Sequence, residues 1–168
     1  MSIINYSAAK RLLAVARGHP YEREAFAGLL QGLDEFDVCH VEQPAAQRLF
    51  GLQAAREYDA ILCYDMPGID FIATDAPRLV TPDPDFTRDY LAMLEAGVGV
   101  VFMHHAIAAW PAWPEYAEIV GGRFHYRPAL LRGQQWPDSG YRHQVRHRVH
   151  TVASHPVMEG IPEHFDIT

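Results

Sequence analysis

The chain has 168 residues, 49% of them apolar and 21% charged, the size and balance of one globular domain able to bury a core. Its 14 basic and 21 acidic residues give a formal charge of -7, which opposes phosphate backbones and anionic membrane surfaces, so neither nucleic acid nor a membrane is an expected partner. Cys39 and Cys63 lie within apolar strand-like runs and read as small buried hydrophobes, not as a disulfide framework, which makes a reducing cytoplasm the expected location.

The first apolar run, RLLAVAR, is short and closed by Arg11 and Arg17, so neither a signal peptide nor a membrane span fits. Residues 11–18 read as a strand buried on both faces and ended by Gly18. Glu22 and Glu24, then Phe26, Leu29, Leu30 and Leu33 at helical spacing, predict an amphipathic helix with acids at its amino end. Residues 37–43 predict a second strand, after which Pro44 opens a helix through Leu49, Leu52 and Ala55. A third strand, within 58–68, stops at a Pro-Gly turn, and 69–84 reads as an irregular loop. Residues 84–97 predict a helix with Phe86, Tyr90 and Leu94 on one face and Gly97 as its carboxyl-terminal cap. VGVVFMHH is the fourth strand. AEIVGGRF gives a short helix with a Gly-Gly stop, and 126–142 reads as a polar excursion.

YRHQVRHRVHTVA alternates strictly. It predicts a strand with Tyr141, His143, Val145, His147, Val149 and Thr151 on a half-buried face and Arg142, Gln144, Arg146, Arg148 and His150 on a wet one, as at an edge or in an antiparallel pair. Strands alternating with helices predict an α/β fold, a flavodoxin-like doubly wound and mostly parallel sheet with helices on both faces. The apolar rhythm still running at EHFDIT suggests a single domain, 1–168, that continues past Thr168.

Ten histidines are present, five of them between His143 and His164. In open α/β sheets ligands bind beyond the carboxyl ends of the strands, near the point where strand order reverses. In a flavodoxin-type order strands one, three and four are neighbours, about 4.8 Å apart, and they end in Gly18-His19, Tyr64-Asp65 and His104-His105. Three imidazoles and a carboxylate are therefore expected to converge. Two chemistries fit: a Zn-like or Mn-like divalent ion with an open position, or a metal-free acid/base pair of an imidazole and Asp65. No nucleotide cofactor is expected.

The corner AWPAWPEY places Trp110, Trp113 and Tyr116 beside this site, where flat amphipathic rings would suit the apolar faces of sugars. Burial of one or both tryptophans in the core is the competing reading. His143 and His147 stand about 13 Å apart along a strand and cannot share an ion. His155-Pro156 reads as the start of a turn. A glutaminase-type nucleophile elbow needs Cys or Ser on a sharp turn, but that position reads Met103-His104-His105-Ala106.

RLLAVARGHPYEREAF, YDAILCYDMPG, VVFMHHAIAAWPAWPEYAEIVGGRFHY, WPDSGYR and HRVHTVASHPVMEGIP resemble the ThuA-like family of trehalose-utilisation proteins, within the class I glutamine amidotransferase-like superfold. The resemblance implies a flavodoxin-like domain without the amidotransferase Cys, and a sugar substrate, a 3-keto form of trehalose or a related disaccharide supplied by a partner sugar dehydrogenase. It implies sites at His19, His104, His105 and Asp65, with His147 and His155 matching late family positions. Family domains are usually longer than this chain. The resulting expectation is an enzyme that moves a proton next to a sugar carbonyl, with His104, His105 and Asp65 catalytic, His19, His104 and His147 on any metal, and Trp110, Trp113, Tyr116 and His155 on the sugar. A non-catalytic sugar-binding or regulatory module is the alternative. A homo-oligomer is compatible with either.

Overall fold

The computed structural model describes residues 8–168, which divide into two compact units, the first running to Asp138 and the second Ser139–Thr168. In the first unit β1 (Lys10–Arg17) leads through the Gly18-His19 turn into α1 (Arg23–Gln31), then β2 (Phe36–Glu42), a 3-10 turn Ala45–Leu49, α2 (Leu52–Glu57) and β3 (Ala60–Asp65). Two-residue strands β4 (Ile69–Asp70) and β5 (Arg78–Leu79) precede α3 (Pro84–Glu95) and β6 (Gly99–Phe102). A 3-10 turn His104–Ala108, α4 (Pro114–Val120) and the strands β7 (Ala129–Leu131) and β8 (Gln134–Trp136) complete it.

The main sheet is parallel, in the order β2-β1-β3-β6. That is the flavodoxin-like arrangement, with the order reversing between β1 and β3. Strand alternation gives β1 two buried faces. Leu13 and Val15 join Ile61, Cys63, Phe86, Tyr90 and Met93 on one side, while Leu12, Ala14 and Ala16 join Phe26, Leu30 and Leu62 on the other. Helix α1 thus covers one face and α3 with α4 the opposite one. Asp83 caps α3 by accepting from the backbone N–H of Asp85, and Gly97, with φ of 89°, follows its last turn, as its lack of a side chain allows.

The structure departs from the sequence reading in four places. The helix expected after Pro44 is broken into a 3-10 turn and the short α2 by Gly51, whose φ of 125° is open only to glycine. The loop 69–84 carries the antiparallel β4–β5 pair. The polar excursion holds the β7–β8 hairpin.

In the second unit the long alternating strand shrinks to β9 (His147–His150), because Gln144 turns to φ 53° and interrupts the extended run. Its predicted half-buried face is not buried at Tyr141, His143 or His147, which are exposed. The antiparallel character holds: β9 pairs with β10 (His164–Ile167), setting His150 opposite His164 and His147 opposite Ile167. Among the described residues no helix is long and apolar enough to cross a membrane.

Candidate functional site

The Gly18 turn is built by close backbone approach. Gly18 sits at φ 97°, and a Cβ there would lie 2.4 Å from the Met66 carbonyl oxygen. The Met66 N–H donates to the Arg17 carbonyl at 2.8 Å, so β1 and β3 stay paired to their ends. Only glycine fits, and the tight turn throws His19 across the end of β3. There Nε2 of His19 lies 2.7 Å from the Tyr64 carbonyl oxygen and Nδ1 lies 2.9 Å from that of Pro20.

From the next strand, the Met103 N–H donates to the Cys63 carbonyl at 2.9 Å and the Ala106 N–H to the Met103 carbonyl at 2.9 Å. These bonds end β6 in the 3-10 turn that carries His104 and His105. The Tyr116 hydroxyl donates to the Ala106 carbonyl at 3.1 Å and ties that turn to α4.

Three imidazoles converge as the strand order requires. The His19 and His105 rings stack, with centroids 3.6 Å apart and planes 15° apart. His104 and His105 centroids are 4.2 Å apart. Tyr64 closes the cluster, with its ring 4.7 Å from His19, 5.5 Å from His104 and 5.4 Å from His105. Burial, with the neighbouring imidazoles of His19 and His104 adding to it, pushes His105 down to about 4, and burial, with His19 beside it, also lowers His104. Both rings are therefore neutral near pH 7. Nδ1 of His105 is buried and has no hydrogen-bond partner, a loss of about 1–3 kcal/mol for a polar atom removed from water.

Asp65 does not join this cluster. It follows Tyr64 on β3, so alternation turns its side chain to the other face, with Ile61 and Cys63. There it is buried and accepts from Gln43 Nε2 at 2.6 Å, and burial raises its carboxyl to about 7. The expected sharing of a proton between Asp65 and a site imidazole has no contact to support it.

The metal-holding arrangement fares similarly. Lone pairs in two nearly parallel stacked rings do not converge on one ion as tetrahedral ligands must. His19, moreover, faces a carbonyl oxygen with each ring nitrogen, that of Tyr64 at 2.7 Å and that of Pro20 at 2.9 Å, so both nitrogens are engaged within the protein. Among the described residues no group of three His, Cys, Asp or Glu is spaced to hold an ion. These residues, as placed, do not fit a metal.

The Trp-Pro corner is core, not wall. Trp110 and Trp113 are each 6% exposed and Tyr116 is buried with them. Their rings pack on Phe86 and Tyr90, with centroids 5.2 Å apart for Phe86–Trp110 and 5.6 Å for Tyr90–Trp113. Packed in this way, they offer no open face to a sugar, which corrects the expectation for all three. His147 and His155 belong to the second unit. The Nδ1 of His155 accepts from the Val157 N–H at 3.2 Å and caps the 3-10 turn Pro156–Met158, as expected of a turn-starting residue, and His155 lines an open cleft of about 510 Å³ with Ser154, Met158 and Glu159.

Sequence reading gave no role to Tyr64, whose carbonyl and ring both contact the histidines. Period-2 alternation along β3 was the available signal, since only one of Tyr64 and Asp65 can face the same side as His19. Cys63 is buried within β3, with its thiol pushed well above its ordinary value by burial, so no thiolate nucleophile is present there.

No curated protein and no solved structure matches the chain. Residues 13–168, nearly the whole length, match the family described as ThuA, trehalose utilisation; with strand ends and a histidine turn that fall within that match, the chain belongs to the ThuA family.

Proposed function

We propose that the chain is an enzyme of trehalose or disaccharide metabolism that moves a proton next to the carbonyl of a keto-sugar, with His104 and His105 as the reacting pair. The observation that carries this reading is the convergence of His104 and His105, with ring centroids 4.2 Å apart, beside His19 at the carboxyl edge of a switch-point sheet. A sugar carbonyl acidifies the neighbouring C–H, which an unoxidised sugar does not offer.

In this scheme neutral His104 takes the proton from carbon. The C–H electron pair forms the enediolate double bond, and the carbonyl π electrons move onto oxygen. His105, held neutral by its surroundings, donates an N–H to that developing oxyanion. His19 stacks on His105 and, fixed by two carbonyls, holds the ring in place. With the enediol hydroxyl proton passed to the former carbonyl oxygen, return of the abstracted proton to the former carbonyl carbon gives an isomer; expulsion of the glycosidic oxygen, protonated by His104, gives elimination. The enediolate is common to both outcomes.

Incubating 3-keto-trehalose with the protein in deuterium oxide tests the assignment. The parental chain is expected to exchange the hydrogen beside the carbonyl, and His104→Gln to slow that exchange by about 10²–10⁴-fold with its fold retained. Equal exchange by a folded His104→Gln variant would remove His104 from the chemistry.

A further inference from the structure

With the tryptophans buried, the large exposed apolar groups of the loop after β3 become the question. Phe71 is 49% exposed and Ile72 is 97% exposed, and the loop that bears them is built rigidly. Asp70 Oδ1 accepts from the backbone N–H groups of Ile72 and Ala73, both at 3.1 Å, and its Oδ2 takes Arg78 at 2.7 Å. The β4–β5 pair, the Val80 N–H bonded to the Gly68 carbonyl at 2.9 Å, and Arg127 on the Pro77 carbonyl at 2.6 Å close the loop on itself.

Its root rests on the Trp-Pro corner. Gly68, at φ 85°, lies so flat on Trp110 that a Cβ would stand 2.8 Å from the indole, and the Trp110 N–H donates to the Pro67 carbonyl at 2.8 Å. Folding does not ordinarily fix a large apolar side chain in water with this many polar ties; presentation of such groups on a rigid support is how binding surfaces are made.

Phe71 also adjoins the histidine turn through a short series of contacts. Its ring lies 6.1 Å from that of Tyr126. The Tyr126 hydroxyl donates to Met66 Sδ at 3.3 Å, and the Met66 backbone is the surface on which Gly18 lies. From the other side, Phe124 packs on Tyr126 at 4.9 Å, and its N–H donates at 3.0 Å to the carbonyl of Ile107, in the turn that bears His104 and His105.

We infer that Phe71, backed by Tyr126, is the platform on which the apolar face of the non-reacting sugar ring of a disaccharide stacks, and that the buried Trp110 braces this platform without touching substrate. A pyranose presents axial C–H groups to an aromatic face, and an exposed Phe with a second ring behind it is suited to that contact. The inference rests on the keto-disaccharide reading for its ligand. Phe71 on this account touches the substrate directly and acts on affinity more than on the chemical step.

Binding of 3-keto-trehalose by calorimetry, read beside the KM and kcat of hydrogen exchange, tests it in the full chain. Phe71→Ala is expected to weaken binding and raise KM about 10-fold while kcat falls less than threefold, and Phe71→Trp to restore both to within threefold. Leu52→Ala, which trims an exposed apolar residue of α2, is the control expected to change neither. Unaltered affinity and KM in Phe71→Ala, with parental exchange intact, would overturn the platform and leave the reaction standing. Binding without exchange by the parental chain, lost in Phe71→Ala, would support the platform and overturn the proposed chemistry. No binding and no exchange by the parental chain would overturn both.

Discussion

Replacing Asp65 by Asn tests whether a buried carboxyl on the far side of the site titrates as its surroundings demand. Asp65 is enclosed on the Ile61 and Cys63 face of the sheet, where burial outweighs the hydrogen bonds from Gln43 and from its own backbone and moves it from 3.8 to about 7. The folded chain therefore holds this proton up to about pH 7, whereas the unfolded chain releases it near 3.8. Between those values the unfolded state binds fewer protons, so stability falls as pH rises, at up to about 1.36 kcal/mol per pH unit. The whole effect amounts to about 4 kcal/mol, present below pH 3.8 and lost once pH passes 7. His105 works in the opposite direction. Its ring titrates at about 4 when folded against 6.5 when unfolded, so its contribution is lost as pH falls from 6.5 towards 4. The two slopes oppose each other in the parental chain, but His105 is common to both proteins and cancels in their difference. Urea unfolding at pH 4, 5, 6, 7 and 8 should show Asp65→Asn no more stable than the parent at pH 4 and about 2–4 kcal/mol more stable at pH 8, since the Asn oxygen can still accept from Gln43. A stability difference that stays constant from pH 4 to 8 would refute the reasoning, because it would mean that Asp65 ionises alike in both states.

Two further perturbations address the turn and the corner. Gly18→Ala places a Cβ 2.4 Å from the Met66 carbonyl oxygen in a left-handed turn and is expected to cost about 1–3 kcal/mol. Because His19 rides on that turn, the ring signals of His19 and His105 should shift in the NMR spectrum; a variant of parental stability with unmoved histidine resonances would contradict the tight-turn account. Trp113→Ala removes a core ring packed on Tyr90 and is expected to lower stability by about 3–5 kcal/mol. A loss of sugar affinity without loss of stability would return Trp113 to the binding surface.

The order of the sheet was legible because the signals it needs are local. RLLAVAR, AILCYD and GVVF are short apolar runs closed by turn residues, and a run buried on both faces between amphipathic helices has few other homes. Gly97 marked the end of α3 through a backbone preference that depends on a few neighbours only. The breaks at Gly51 and Gln144 were not legible, since a positive φ at one residue is imposed by what the chain packs against later. The same limit applies to the Trp-Pro corner. Spacing gives the three aromatics but not the direction in which they point, and that was decided by Phe86 and Tyr90 on α3, more than 20 residues earlier in the chain.

The distribution of the site's ionisable groups over two faces of one strand follows from period-2 geometry, with a consequence for the chemistry. A doubly wound sheet ends every strand at the same edge, so Tyr64 and Asp65 both stand at the mouth of the fold, yet consecutive residues of a strand cannot face one pocket. The α1 face at that edge receives His19, Tyr64, His104 and His105, of which the lowered His104 and His105 can move or donate a proton as neutral rings. The opposite face receives Asp65, Gln43, Cys63 and Tyr90, where burial raises the acids, leaving Cys63 and Tyr90 uncharged and Asp65 about half charged at neutral pH. A carboxylate on the first face would pair with an imidazole and raise its affinity for protons, and a cationic His104 could not act as a base. Keeping Asp65 on the far side of β3 leaves His104 and His105 neutral, which is the state that abstraction of a carbon-bound proton requires.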